Sequence, residues 1–305
     1  MRLMMFEKGR GAALGVVEGK SVIDVAAVEA SLPKDLKSLI AAGPSGLIGV
    51  KTAAAKAPDA AKLGLDRVKA AAAKAPASAK LPLDGVKPAL PIWPAGKIIC
   101  VGLNYALHAK EGGHPIPTYP SFFLRVPTSL VAAGAPVIRP KCSVQLDYEC
   151  ELAIVIGKGG RHVPEDKALS HVFGYTLFND VSVRDFQRKT SQWTPGKNFD
   201  GTGPLGPWVV TADALPPGAS GLRIMTRVNG ETMQDSNTAD MIFSTAKTIA
   251  FLTEFMTLEP GDVIATGTPS GVAHARKPPA WMKGGDKVEV EVDGIGVLTN
   301  PIVEE

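Results

Sequence analysis

The chain has 305 residues, of which 45% are hydrophobic and 21% charged, with a formal net charge of +3. That is enough chain for a sizeable core and for one large domain or two unequal ones. No basic stripe is interleaved with aromatics, and no apolar run approaches the roughly 18 residues of a membrane span, so neither nucleic acid nor a membrane is an expected partner.

The N-terminus, Met1 to Lys8, lacks the apolar stretch and cleavage site of a secretory signal. Cys100, Cys142 and Cys150 have no metal-type spacing, and their odd count fits reduced thiols, so the expected location is cytoplasmic. In chain order, Leu14–Val17 and Ser21–Val25 read as strands around a Glu18-Gly19 turn, and residues 29–42 mix charged and aliphatic residues at helical spacing. Residues 50–85 carry a repeat with a period of 18: Val50 to Pro58 returns as Val68 to Pro76. Alanine and lysine favour helix while Pro58, Pro76 and Pro82 interrupt it, which predicts two short surface helices. The Pro-rich stretch Val86–Pro94 reads as a linker, so a small N-terminal domain is expected over 1–95 and a catalytic domain over 96–305.

Lys97–Gly102 has the pattern of a buried strand and leads into a short helix that Asn104 can cap and Gly112 can end. On it His108 and Glu111 are three apart and share a face, either as a surface pair or as a catalytic dyad. The densest chemistry lies in Asp147-Tyr148-Glu149-Cys150-Glu151, followed by the aliphatic run Leu152–Ile156 and Gly157. Strand alternation puts Asp147, Glu149 and Glu151 on one side at the mouth of a buried strand. Three neighbouring carboxylates either hold a hard divalent cation or line a solvated, salt-bridged edge. Residues 162–173 suit a helix, Gly174–Asp180 a strand ending in a carboxylate, and Val181–Gln187 a helical turn. Gly196–Gly201 reads as a glycine-flanked loop carrying Lys197. The remainder is β-rich, with an Asn229-Gly230 hairpin turn, a helix near Ser244–Phe255 and an alternating strand at Val288–Val292. No Gly-x-Ser-x-Gly is present, which argues against a serine hydrolase.

Five ordered motifs then carry a resemblance: Gly-Leu-Asn-Tyr-x-x-His-x-x-Glu at 102–111, Asp-Tyr-Glu-x-Glu-Leu-Ala-x-Val-Ile-Gly-Lys at 147–158, Asn-Asp-x-Ser-x-Arg-Asp-x-Gln at 179–187, Gly-Lys-x-Phe-Asp at 196–200 and Pro-Gly-Asp-Val-Ile-x-Thr-Gly-Thr-Pro at 260–269. From Lys97 onward the sequence resembles the fumarylacetoacetate hydrolase (FAH) family. The resemblance implies a mixed α+β, β-rich fold, with an FAH-type β-roll or sandwich as catalytic domain. It also implies Mg2+ or Mn2+, with Ca2+ able to stand in within crystals, and a homodimer. Carried over by motif, the metal ligands are Glu149, Glu151 and Asp180, and the catalytic groups are His108, Glu111 and Lys197. Arg125, Arg184, Gln187 and Thr268 fall at substrate-binding or neighbouring positions, and Asp147 falls as a brace rather than a ligand. Arg125 and Asn198 depart from the family's common lysine and serine, which raises the expectation that they alter what the pocket accepts. Trp193 is a further candidate for contact with the substrate's distal group.

The chemistry implied is hydrolytic C–C cleavage of an acylpyruvate-like 2,4-dioxo acid. His108 and Glu111 would activate water, Lys197 would stabilise the oxyanion, and pyruvate enolate would leave. The same enolate chemistry serves oxaloacetate-type decarboxylation and the tautomerisation or isomerisation of unsaturated dioxo acids. A reading of a different class is a non-catalytic, metal-stabilised binding module that uses the Lys/Ala repeat as its contact surface.

Overall fold

The computed structural model describes residues 1–41 and 60–305. A twelve-stranded sheet, a five-stranded sheet and a two-stranded ladder make up its β-structure, among the described residues. The fold is mixed α+β and sheet-rich.

Cys150–Ile156 runs through the middle of the large sheet, antiparallel both to Val172–Asn179 and to Val263–Ala265. It is buried on both faces, which is why its sequence from Leu152 to Ile156 is aliphatic without a polar alternate. Leu152, Ile154 and Ile156 face a core completed by Ile224, Val290, Val292 and Leu298 of the five-stranded sheet. Ala153 and Val155 face the opposite core, with Leu3, Leu36, Leu39 and Val68. The two sheets therefore stack as a sandwich over one side of this strand. Each buried aliphatic side chain contributes about 1.5–3 kcal/mol.

The N-terminal hairpin, Arg2–Lys8 with Gly11–Glu18, is hydrogen-bonded into the same large sheet through Arg2 and Leu3, opposite Val210 and Val209. The turn after Glu18 and the strand Ser21–Asp24 that follows it lie as the sequence predicts. In the segment 29–42 the helix is confined to Leu36–Ala41. The first repeat copy, Val50–Pro58, lies outside the described residues. The second continues a single helix, Ala60–Ala73, that stops ahead of Pro76. That helix is not purely a surface element, because Val68, Ala71 and Ala72 pack into the core. One of its lysines, Lys69, is engaged with Asp213 of the same chain at 3.0 Å.

Two sequence expectations are corrected by the sheet. The helix expected over 162–173 shortens to Glu165–Ala168 plus a 3-10 turn, because Val172 is drawn into pairing opposite Ile156. The loop at Gly196 is a one-turn helix, Thr194–Lys197, with Pro195 near its start. Gly196 is required there: a Cβ would stand 2.4 Å from the Gln187 backbone nitrogen. The hairpin turn at Asn229-Gly230 forms as expected, with φ of 53° and 85°, the left-handed pair that a two-residue turn needs.

Candidate active site

The carboxylates are brought together by register. Antiparallel pairing sets Cys150 opposite Asn179, so the chain neighbours Glu149 and Asp180 come to lie side by side. Asp180 N donates to Glu149 O at 2.9 Å, and Glu149 N donates to Asn179 Oδ1 at 2.9 Å. Glu151 sits one pleat inward, and its Oε2 accepts from Gly267 N at 2.8 Å. Gly267 has φ +91°, and a Cβ there would meet Asn104 Cβ at 2.8 Å, so the close approach needs glycine. One oxygen from each of Glu149, Glu151 and Asp180 lies within 4.8 Å of the others, and all three residues are buried.

Asp147 does not share this face. The strand breaks at Tyr148–Glu149, and Leu146–Asp147 pairs instead with Ser182–Val183. Its carboxylate accepts from Arg184 Nε at 2.7 Å and from the backbone N–H groups of Ala273 and His274. Asp180, from the next strand, supplies the third carboxylate of the cluster in its place.

Three buried cations surround the cluster. Lys197 Nζ donates to Glu149 Oε2 and to Asp180 Oδ2, each at 2.7 Å. Arg184 Nη2 lies 2.7 Å from Glu149 Oε1, misaligned for a hydrogen bond, while its Nη1 donates to Gln187 Oε1 at 2.9 Å. Arg125 approaches from behind. Its guanidinium donates to Asp180 Oδ1, Val181 O, Ser129 Oγ and Thr202 Oγ1. Arg125 is not among the cavity-lining residues. The expectation that it touches substrate is corrected: it holds a carboxylate in place.

Electrostatics divide the three carboxyls. Burial opposes ionisation of Glu149, but Lys197 and Arg184 outweigh it and hold the carboxyl down to about 2. Burial raises Glu151 well above the ordinary range, and Asp180 and Glu149 add to the rise. Burial likewise opposes the charge on Lys197, yet Asp180 and Glu149 keep its pKa raised. Glu151 is thus a buried oxygen donor whose surroundings lack one positive charge. All-oxygen donors and an unmet charge fit a hard divalent cation such as Mg2+ or Mn2+.

Facing the cluster is a cavity of about 500 Å³ whose walls include His108, Glu111, Gln187, Arg188, Trp193, Thr268 and His274. His108 Nδ1 and Glu111 Oε1 are 2.8 Å apart, on the helix Ala106–Glu111. The other Glu111 oxygen accepts from Gly271 N at 2.9 Å, so the helix is tied down over the cavity. Asn104 does not cap this helix. It is fully buried, with its amide accepting from Phe243 N and donating to Phe243 O and Thr266 O, which anchors the helix's approach. Thr268 Oγ1 accepts from Gln234 Nε2 at 2.8 Å. Asn198 joins Lys197's turn to the strand Ser121–Arg125 by bonding Val126 N and Leu124 O, and it is not among the cavity-lining residues.

Residues 97–303 match the family profile described as Fumarylacetoacetate (FAA) hydrolase C-terminal. The chain belongs to the fumarylacetoacetate hydrolase family. Full-length relatives include the oxaloacetate tautomerase fahd2, mitochondrial, of Xenopus laevis, 38% identical across 99% of this chain and 90% of that protein. The Bos taurus oxaloacetate tautomerase FAHD2A, mitochondrial, is 39% identical across 99% and 92%. Among solved structures, the fumarylacetoacetate hydrolase of Exiguobacterium antarcticum superposes with a TM-score of 0.78 at 36% identity, covering 100% of both chains. A maleylpyruvate hydrolase from Sphingobium sp. SYK-6, in complex with manganese(II) and pyruvate, gives 0.78 at 29% identity, covering 100% of this chain and 99% of that one. Like its FAH relatives the protein is an enzyme, and its acidic triad is a candidate divalent-metal site. No helix among the described residues is long and apolar enough to cross a membrane.

Missing from the sequence reading were Gln234, Arg188 and His274. Gln234 carries no local signal, since its role is to accept from Cys150 N and to donate to Thr268 across the sheet sandwich. Arg188 follows the Arg184–Gln187 motif by one residue, and its helical spacing from Arg184 was the available clue.

Proposed function

We propose that this FAH-family enzyme interconverts the keto and enol forms of a 2-oxo acid of the oxaloacetate type. The observation that carries the reading is full-length similarity to two oxaloacetate tautomerases, together with the His108–Glu111 acid–base dyad facing the carboxylate cluster. Glu149, Glu151 and Asp180 would hold the divalent cation. When bound, such a cation polarises the 2-oxo group and stabilises negative charge on its oxygen.

The chain's own groups then manage the proton. Glu111 takes the proton from C3, and the hydrogen-bonded pair of Glu111 and His108 delivers it to the enolate oxygen, so the enol keeps the proton count of the keto form. The reverse reaction takes the proton from that oxygen and returns it through Glu111 to C3. Lys197 keeps a buried positive charge beside Glu149 and Asp180, near the developing oxyanion. The Gly271 N–H bond to Glu111 fixes the carboxylate's orientation. Tautomerisation needs no water, so a helix closed over the cavity suits it.

Hydrolytic C–C cleavage of an acylpyruvate stands second. It is favoured by the likeness to the maleylpyruvate hydrolase structure, and it would use the same dyad to activate water. The experiment mixes enriched enol-oxaloacetate, a small acylpyruvate panel and the enzyme, with and without Mg2+ or Mn2+. Metal-dependent acceleration of enol absorbance decay, with no pyruvate formed, supports the tautomerase. Pyruvate plus a second acid from the panel moves the assignment to hydrolase, and pyruvate plus carbon dioxide from oxaloacetate moves it to decarboxylase.

A further inference from the structure

The inner end of the cavity holds nearly balanced charge. Four buried carboxylates, Asp147, Glu149, Glu151 and Asp180, meet three buried cations, Arg125, Arg184 and Lys197. A divalent cation on the cluster turns a deficit of one positive charge into an excess of one. The carboxylate of a 2-oxo acid cancels that excess. A second negative charge on the same ligand has no partner at this end.

Further out on the cavity wall stands Arg188. It follows Arg184 by one helical turn, and its N–H donates to the Arg184 carbonyl at 3.2 Å. Among the described residues its guanidinium has no carboxylate within ion-pair distance; its side-chain neighbour is His274, with both ring nitrogens in contact with Nη2. Burial, Arg184 and Arg188 lower the His274 pKa, so at neutral pH the ring offers a lone pair and no charge. Asp147, a carboxylate near this corner, is already spent on Arg184 and on the Ala273 and His274 N–H groups. Arg188 is thus a guanidinium beside a neutral ring on the wall of a cavity whose carboxylate cluster is met by Arg125, Arg184 and Lys197, while Glu111, the other carboxylate of the wall, is tied to His108 and Gly271 N.

We propose that Arg188, seated on His274, binds the distal carboxylate of a short 2-oxo dicarboxylic acid whose 2-oxo acid end lies at Glu149, Glu151 and Asp180. The inference rests on the 2-oxo acid reading above and deepens it by naming the residue that recognises the second charge. Side chains one turn apart are neighbours, roughly 5–6 Å apart at Cβ, so Arg188 stands beside Arg184 on the cavity wall. The inner member of the pair, Arg184, already touches Glu149 at 2.7 Å. A guanidinium's paired donors match a carboxylate in a way a lysine does not.

The test compares wild type, R188Q and R188K, all loaded with Mg2+, by calorimetric binding of two ligands. One is 3,3-difluorooxaloacetate, which lacks a C3 proton and keeps both carboxylates. The other is pyruvate, which lacks the distal carboxylate. R188Q is expected to weaken difluorooxaloacetate by about 10–100-fold, the loss of one charged hydrogen-bonded contact, and to change pyruvate by less than about twofold. R188K recovers part of the loss, and the KM for oxaloacetate rises in proportion to the weakened binding. Equal losses for both ligands, or none for the diacid, overturn the assignment while the 2-oxo acid reading stands. Wild-type enzyme that binds neither ligand overturns that reading and this assignment together. Arg188 is exposed, so the variants are expected to melt as wild type does, which a thermal scan checks.

Discussion

Arg125 and Asp180 form an ion pair at 2.5 Å, with side chains 0% and 1% exposed. A buried pair of this kind is weak evidence for net stability, but breaking it leaves one charge stranded. Arg125→Met leaves Asp180 with only Lys197, a cation it shares with Glu149, among the described residues. Expected is a loss of about 3–5 kcal/mol of stability in the metal-free protein. Part of it should return on adding Mg2+, because a cation compensates the stranded carboxylate. Chemical denaturation with and without metal measures both. If the two forms lose equal stability, Arg125 acts on packing alone and not on Asp180.

Lys197 bridges two of the three carboxylates, so it stands close to the proposed cation without being a ligand. Lys197→Met is expected to lower kcat by about 10²–10³, the usual cost of removing one oxyanion-stabilising donor. The metal-induced rise in melting temperature should persist, because all three ligands remain. A variant that turns over normally removes Lys197 from the chemistry. One that loses the metal response places it in metal retention.

The sequence made the local parts of this site readable and hid the distant ones. The strand Cys150–Ile156 announces itself by the unbroken aliphatic run Leu152–Ile156, since both of its faces are buried. His108 and Glu111 are three residues apart on one helix, so spacing alone placed them together, and they meet at 2.8 Å. Asp147 was misplaced because alternation assumes that a strand continues, whereas this one changes partner at Tyr148–Glu149.

Arg125 was assigned to substrate for a related reason. Its partner Asp180 is 55 positions away, and nothing near Arg125 says that the space behind Asp180 needs a cation. Asn104 looked like a cap, which is the local use of asparagine, but its amide is consumed by Phe243 and Thr266, 139 and 162 positions on. Arg188 and His274 are separated by 86 positions. Pairings of that kind are set by the sheet sandwich and have no periodic signature.

Glu111 is the group expected to move the C3 proton. Glu111→Gln keeps its size and can still accept from Gly271 N, but removes the base. Exchange of the C3 protons of the bound 2-oxo acid into deuterated water should slow by about 10²–10⁴, and kcat should fall with it. Ligand binding should hardly change. Exchange at the wild-type rate would falsify the proton-transfer role, because exchange reports C3 deprotonation whether or not hydrolysis follows.

Glu151 gives the sharpest link between electrostatics and metal. In the metal-free protein, burial, Asp180 and Glu149 raise its carboxyl well above the ordinary range. A folded-state pKa above the unfolded one means that the folded state holds the proton more tightly. The metal-free protein therefore loses stability from this group as pH rises past about 4.3, the unfolded value, until the folded pKa is reached. Glu151→Gln removes that slope and keeps an oxygen for Gly267 N. The metal-free variant should be at least as stable as wild type at neutral pH, with the difference shrinking in acid. Metal has the opposite dependence: in wild type it displaces the Glu151 proton, so apparent Mg2+ affinity climbs with pH. A ligand at about 100 times its dissociation constant stabilises by about 2.7 kcal/mol, and the variant should forfeit this rise. Melting curves of both proteins at several pH values, with and without Mg2+, test both halves at once. A metal-induced shift that survives in Glu151→Gln removes this residue from the ligand set.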